Sequence, residues 1–355
     1  MSKRFFVLTP DDYTPSGGID VLYRFASILN SEGYDAYVLH NSPHFRNRFV
    51  TTDAPVRYSL ALRRVELRKI RDRRRIGLAA QLARAMVSGD KATRVTLNED
   101  DVLLTPELLA SSADAAFPAP QKVLVSQGAF LYLDQVTRGD ERARRALTDW
   151  RCIATSAACT RAARWSGNAN VAHVPVTVAP PKPRRPKRPI IAYMPRKNRT
   201  DVETVIELLR RRGKVADYEF CTIDGVSRDE VANALAEATF FLAFSEREGF
   251  GLPPAEAMAA ECVVIGYTAH GGDEFFTEET GVPIRSGDLI GFVEAIEQAV
   301  ADFRENPERL DRIRKQASQT IRETYNHDST RQALLATWRD WFGSANNAKR
   351  QEMAT

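Results

Sequence analysis

Two glutamates separated by seven residues, Glu248 and Glu256, bracket a turn holding Gly249 and Gly251 in the stretch Ser245 to Ala259, SEREGFGLPPAEAMA. An ionised carboxylate accepts paired hydrogen bonds from neighbouring hydroxyls, each worth about 1.5–3 kcal/mol. Glycines let a backbone approach a ligand closely, and the N–H groups of such a turn and of the helix behind it suit a diphosphate or a hydroxyl-rich sugar. Pro253 and Pro254 fit a helix start, where a missing N–H costs nothing. The spacing therefore predicts strand, glycine turn and helix, with Glu248 before the turn and Glu256 in the first helical turn. A glutamate near a helix start also complements the helix dipole, but that role asks nothing of the EGFG sequence in front of it.

A second group is the adjacent cations Arg196 and Lys197 in YMPRKN, Tyr193 to Asn198. They follow an apolar strand candidate, PIIAYMP, and the carboxyl ends of parallel strands are where open α/β sheets bind ligands. Arginine and lysine there can neutralise a leaving nucleoside diphosphate; the alternative is solvated surface charge. A third is Ser16-Gly17-Gly18, a glycine pair at the first strand-to-helix turn.

These groups need elements to position them. RFFVLT, a turn-rich loop, a helix with Ile19, Leu22, Ala26 and Leu29 at helical spacing, and the strand Tyr34 to Leu39 form a βαβ opening, which predicts a parallel sheet covered by helices on both faces. Further strands are expected at Asp101 to Thr105, Lys122 to Ser126 and Cys152 to Ser156. Between Val174 and Pro189 six prolines fall in sixteen residues, a composition that makes an extended linker. After it the alternation restarts: PIIAYMP, a helix over Val202 to Arg211, YEFCTI, a helix over Arg228 to Ala238, TFFLAFS, a helix from about Pro253, and CVVIGY. The expected organisation is α/β, with two doubly wound domains. They span residues 1–178 and 190–327, joined by a linker at 179–189. A C-terminal helix at 328–344 carries Trp338, Trp341 and Phe342 and needs a partner surface, and 345–355 form a tail.

The stretch from Glu248 to Ala259 resembles family 4 of the GT-B glycosyltransferases, whose hallmark is Glu, seven residues, Glu around EGFGLPxxEAMA. The resemblance implies two Rossmann-like domains facing a cleft, with the C-terminal helix returning to the first. It implies a retaining enzyme that moves a hexosyl group from a nucleotide-diphosphate sugar to a glycan or lipid-linked acceptor, as in bacterial cell-surface polysaccharide assembly. Carried over, Glu256 would hold the ribose hydroxyls and Glu248 the donor sugar. Backbone N–H groups of Phe250, Gly251 and Leu252 would line the pocket, and Arg196 and Lys197 would neutralise the diphosphate. Gly17 and Gly18 would approach the diphosphate or the acceptor. GYTAHGGDEFF, Gly266 to Phe276, resembles the family's strand with a following glycine pair, so Gly271, Gly272 and Glu274 would support the donor pocket. His270 lies there too, as a candidate ligand contact, although a lone histidine in a loop is more often an ordinary surface residue. One departure stands out: many relatives carry a histidine where this chain has Thr105-Pro106-Glu107, and none of its five histidines is an obvious substitute. Glu107, Ser126 and Gln127 are the acceptor-side candidates. Alternatives are an inverting GT-B transferase and a non-catalytic sugar-nucleotide-binding or membrane-docking relative.

Composition bounds the rest. With 355 residues and 43 % hydrophobic content the chain can bury two cores. No apolar run reaches membrane-spanning length, and Cys152, Cys159, Cys221 and Cys262 lack metal spacing, so a cytoplasmic protein with reduced thiols is expected. Asp11-Asp12 and Asp100-Asp101 are adjacent pairs rather than D-x-D, so no metal and no cofactor beyond the donor is expected. Net charge is +4, too small to imply nucleic acid. Eight basic residues between Arg63 and Arg75 form a ridge that reads as a solvated face or as a contact for anionic phospholipid, at about 1 kcal/mol per basic residue near a membrane.

Overall fold

A computed structural model describes residues 3–14, 16–42, 45–50, 52–65, 94–179 and 186–344. Most of the basic ridge (66–75), the middle of the proline-rich segment (180–185) and the tail (345–355) lie outside the described residues. The chain divides into two compact units. The first comprises Met1–Thr155, Cys159–Val174 and Arg331–Thr355; the second comprises Ser156–Ala158 and Pro175–Thr330.

The first unit is built on seven strands: β1 (Arg4–Leu8), β2 (Asp35–His40), β3 (Val56–Tyr58), β4 (Val102–Pro106), β5 (Gln121–Ser126), β6 (Arg151–Ala154) and β7 (Val171–His173). Their order is β3-β2-β1-β4-β5-β6-β7 and every pairing is parallel. Central strands are buried on both faces and accordingly read as unbroken apolar runs: Phe5 to Leu8 and Val102 to Leu104 are all 3 % exposed or less. The chain runs outward from β1 in one direction to β3 and then restarts at β4 on the other side of β1. This reversal leaves a crevice at the carboxyl ends of β1 and β4, where doubly wound sheets bind ligands.

The helix His327–Phe342 enters this unit from residue 331 onward. Its aromatic residues find the partner that their bulk demands: Trp338 is fully buried and meets the Phe5 ring edge-on at 5.1 Å. Phe342 meets the same ring at 5.6 Å, the Arg151 guanidinium lies 5.2 Å from the Phe342 ring, and Arg331 donates to Glu32 at 2.6 Å.

The second unit holds β8 (Arg188–Tyr193), β9 (Glu219–Thr222), β10 (Ala238–Ala243), β11 (Val263–Tyr267) and β12 (Val282–Ile284). The order is β12-β11-β10-β8-β9, again wholly parallel. Its switch point lies between β8 and β10. The core gathers Ile191, Phe240, Leu242, Val263 and Ile265 from the sheet against Val205, Leu209, Phe292 and Ile296 from the helices Arg199–Arg212 and Leu289–Glu305. Both sheets are the parallel α/β type expected from the sequence. The short strands β3, β7 and β12, each three residues long, were not anticipated, because so few residues show no periodicity. No helix among the described residues is long and apolar enough to cross a membrane.

Candidate functional site

The switch point of the second unit brings together residues separated by some fifty positions in sequence. β8 ends in a tight turn, Pro195–Lys197, and β10 runs into the loop that carries Glu248. Lys197 Nζ donates to both carboxylate oxygens of Glu248, each at 2.5 Å. The carboxylate is the better shielded partner, with the Lys197 side chain 46 % and that of Glu248 11 % exposed. Arg196, beside it in the turn, is exposed.

The frame behind this pair is polar and satisfied. Asn198 caps the helix Arg199–Arg212, accepting from the Asp201 N–H, while its Nδ2 donates to Asp201 at 3.0 Å and to the Phe244 carbonyl at 3.2 Å. Tyr267, at the end of β11, donates to the same Asp201 carboxylate at 2.9 Å. The ends of β8, β10 and β11 are thereby tied to one another, which fixes where Lys197 and Glu248 emerge.

The glycines have separable jobs. Gly251 sits at φ +97°, a left-handed conformation that glycine adopts without steric cost, immediately before the helix Leu252–Ala259 with its two prolines at the start. Gly271 is required by contact instead: a Cβ there would lie 2.7 Å from the backbone carbon of Gly249 and the nitrogen of Phe250. The loop 268–272 presses directly on the Glu248 turn, and the Glu248 N–H donates to the Ala269 carbonyl at 3.1 Å. A Cβ on Gly272 would meet the Thr268 carbonyl oxygen at 2.6 Å. Ala269 and His270 both hold left-handed φ, 58° and 61°. Such strain costs about 1–3 kcal/mol per residue and persists only where surrounding contacts over-determine the backbone, most often at ligand sites.

Other residues singled out in the sequence fall as follows. The Phe250 side chain is core, its ring 4.7 Å from both Phe275 and Tyr325, so any ligand contact there belongs to its backbone. The helix begins at Leu252, which makes Glu256 its fifth residue, just past the first turn where the sequence placed it; its side chain is half-buried. Glu274 accepts from the Ala157 N–H at 2.9 Å, and burial raises its carboxyl above the usual range. Neighbouring Ser156 donates to the Gly249 carbonyl at 2.5 Å. Glu274 and the segment Ser156–Ala158 thus brace the back of the glycine turn. His270 is exposed, with Nδ1 3.8 Å from Asp273.

In the first unit the switch point joins Gly17, Gly18, Glu107, Ser126 and Gln127. Gly17 opens the helix Gly17–Ser31, and Gln127 Nε2 donates to the Gly18 carbonyl at 3.0 Å. Glu107 Oε1 accepts from two successive backbone N–H groups, Gln127 at 2.9 Å and Gly128 at 2.7 Å. Glu107 is 1 % and Ser126 0 % exposed. Of the three acceptor-side candidates, only half-buried Gln127 reaches the surface. Burial pushes the Glu107 carboxyl up to about 7 against the opposing pull of its backbone donors.

Sequence reading missed one further constellation. His40, at the end of β2, is 1 % exposed, with Nδ1 2.9 Å from Asp11 Oδ1 and Nε2 2.6 Å from the Tyr23 hydroxyl. Burial raises the Tyr23 phenol to about 12, so Tyr23 keeps its proton, and the ring nitrogens of His40 are shared between the Tyr23 hydroxyl on one side and Asp11 and Thr9 on the other. The network anchors the loop that runs from β1 toward Gly17. No local pattern links Asp11, Tyr23 and His40; only the adjacency of β1 and β2 does.

Residues 217–320 match the family model described as Glycosyl transferases group 1. That segment contains Glu248, Glu256, Gly271, Gly272 and Glu274. Among curated proteins, the chain is 38 % identical over 87 residues to an α-1,6-glucosyltransferase of Actinobacillus pleuropneumoniae serotype 7, a match covering 24 % of this chain and 26 % of that protein. The chain spans less than a third of the length of the curated relatives it matches. Among solved structures, Anabaena HepE in complex with UDP superposes with a TM-score of 0.63 at 13 % identity, covering 96 % of this chain and 100 % of that one. Sucrose-phosphate synthase from Thermosynechococcus elongatus superposes with a TM-score of 0.60 at 13 % identity, covering 96 % and 99 %. The fold is that of the GT-B glycosyltransferases.

Proposed function

We propose that this chain is a retaining glycosyltransferase that moves a hexosyl group from a nucleotide-diphosphate sugar to a glycan or lipid-linked acceptor, in bacterial cell-surface polysaccharide assembly. The observation that carries the reading is the Lys197–Glu248 contact at the β8–β10 switch point, beside the Gly251 turn and the helix bearing Glu256. In this reading the cation serves a phosphate and the neighbouring carboxylate accepts from sugar hydroxyls. The match over residues 217–320 supports the same assignment. HepE is a solved neighbour in complex with UDP, and with UDP and glucose, which makes UDP-sugars the first donors to test.

In the proposed reaction the bond from the anomeric carbon to the diphosphate oxygen breaks, and charge grows on the departing nucleoside diphosphate. Lys197 and Arg196 stabilise that charge; preorganised positive groups of this kind are commonly the largest single contribution to such catalysis. Glu248 binds hydroxyls of the transferred sugar, Glu256 the ribose hydroxyls, and the backbone of Phe250, Gly251 and Leu252 borders the phosphates. The acceptor oxygen attacks from the face the diphosphate leaves, so configuration is retained. No metal is needed in this scheme because the side chains supply the charge. Peripheral contact with anionic membrane through residues 63–75 belongs to the same proposal.

A specific observation favours a second reading, a sugar-nucleotide-binding relative without turnover: Glu107 and Ser126, two of the acceptor-side candidates, are buried away from any acceptor. A panel of UDP-, GDP-, ADP- and dTDP-sugars, scored for thermal stabilisation and for nucleoside diphosphate release with and without chelator, separates the two. Release that is lost in Glu256→Ala and Arg196→Ala supports the transferase. Stabilisation without release supports the binder, and neither response defeats the site assignment.

A further inference from the structure

Glu107 is an odd group for its surroundings. Its carboxylate is buried at the end of β4, and among the described residues no cation answers it: the bonds to Oε1 come from the backbone N–H groups of Gln127 and Gly128. The titratable groups that feel its charge are Tyr132, from the helix Ala129–Arg138, and Cys152, from β6. Burial raises both, so both stay neutral. A buried carboxylate without a counter-ion is expensive, and a neutral residue would fill the space at less cost.

What the carboxylate does is hold a chain of contacts. It fixes the backbone at Gln127 and Gly128, where β5 turns into the helix Ala129–Arg138. From that backbone the Gln127 side chain crosses to the glycine turn after β1, donating through Nε2 to the Gly18 carbonyl. The fit is close: a Cβ on Gly18 would lie 2.5 Å from Gln127 Oε1. The ends of β4 and β5 and the start of the helix Gly17–Ser31 are thus linked through one buried oxygen.

The geometry points to Glu107 as a positioning residue that fixes the Gly17–Gly18 start of the helix Gly17–Ser31 through Gln127, without itself touching substrate. The inference rests on the transferase reading for its kinetic consequence, but its structural content is independent of it. In its ionised form the carboxylate makes shorter and stronger bonds to the two N–H groups than an amide does, so its hold on this segment is firmest above the pH of about 7 to which burial raises the group.

The test uses the full-length protein as Glu107→Gln, Gln127→Ala and the double variant, with two readouts. The first is amide hydrogen exchange at residues 16–20 and 127–128, which needs no substrate. We expect faster exchange in both segments for Glu107→Gln, and in 16–20 for Gln127→Ala. The second is steady-state kinetics with the donor that the wild type turns over: each single variant raises KM about tenfold with kcat changed much less, and the double variant is no worse than the poorer single one, as expected for residues acting in series. Unchanged exchange at 16–20 in both single variants, or kinetic effects that simply add, overturns the proposal. If the wild type turns over no donor, the transferase reading fails while the exchange data still decide the role of Glu107. Should Glu107→Gln not fold, Gln127→Ala alone decides it by the same exchange at 16–20.

Discussion

At the switch point of the second unit, a cation and a carboxylate from neighbouring strand ends touch each other at the protein surface, Lys197 on Glu248. At the switch point of the first unit, the carboxylate is buried and, among the described residues, is answered by backbone N–H groups, Glu107 on Gln127 and Gly128. Topology delivers the same thing to both places, a crevice at the carboxyl ends of two parallel strands. The units differ in what they do with charge there. A pair whose cation is half exposed can exchange partners when an anionic ligand arrives, because the lysine side chain is free to swing to the ligand while solvent screens the change. A buried carboxylate cannot exchange; it spends its charge on fixing backbone. Under the proposed transferase reading, chemistry belongs to the second unit and shape to the first.

The largest expected effect tests the chemical half. Lys197→Ala should lower kcat by about 10²–10³-fold, the loss seen when one preorganised charge stabiliser is removed, with a smaller loss of stability, about 1–3 kcal/mol, because it leaves the shielded Glu248 carboxylate without its lysine. Equal loss of activity and of stability would make Lys197 structural and erase the contrast.

The shape half has a pH signature. The folded state raises the Glu107 carboxyl from an ordinary 4.5 to about 7, so folding favours its protonated form. That contribution is fully present below about 4.5 and is lost as pH rises to about 7, amounting to up to about 3 kcal/mol at 1.36 kcal/mol per pH unit. Glu107→Gln should remove that downward slope. Denaturation midpoints of wild type and variant between pH 5 and 8 measure it, and parallel curves would mean that Glu107 does not titrate in this range.

Two glycine substitutions sharpen the contrast at smaller cost. Gly271→Ala drives a Cβ into the backbone of Gly249 and Phe250 and should cost about 1–3 kcal/mol of stability together with donor affinity. Gly18→Ala meets only the end of the Gln127 side chain, which can swing aside, so its cost should stay within about 1 kcal/mol. It should also vanish in a Gln127→Ala background. Thermal unfolding of the four proteins settles the ranking.

Much of this was legible in the chain itself. The apolar runs of β1, β4, β8 and β10 announce buried parallel strands because nothing polar can interrupt them. The EGFGLPP turn is legible because glycine and proline have few other uses at that spacing. The contact between Lys197 and Glu248 was not, since it depends on β8 and β10 being neighbours across the switch, and strand order leaves no trace in local pattern. The inward turn of Glu107 and the Asp11–His40–Tyr23 network were hidden for the same reason. A polar residue at a strand end reads as exposed until the partner that buries it is known.

The most direct test of the central claim is the affinity of Glu248→Gln for a nucleoside diphosphate and for the corresponding nucleotide sugar, measured by calorimetry beside wild type. Removing the carboxylate frees Lys197 for the phosphates and deprives the sugar of its acceptor, so the variant should bind the diphosphate more tightly and gain less, or nothing, from the attached sugar. If both ligands weaken equally, or neither changes, Lys197 and Glu248 do not exchange partners around a donor, and the chemistry assigned to this switch point is wrong.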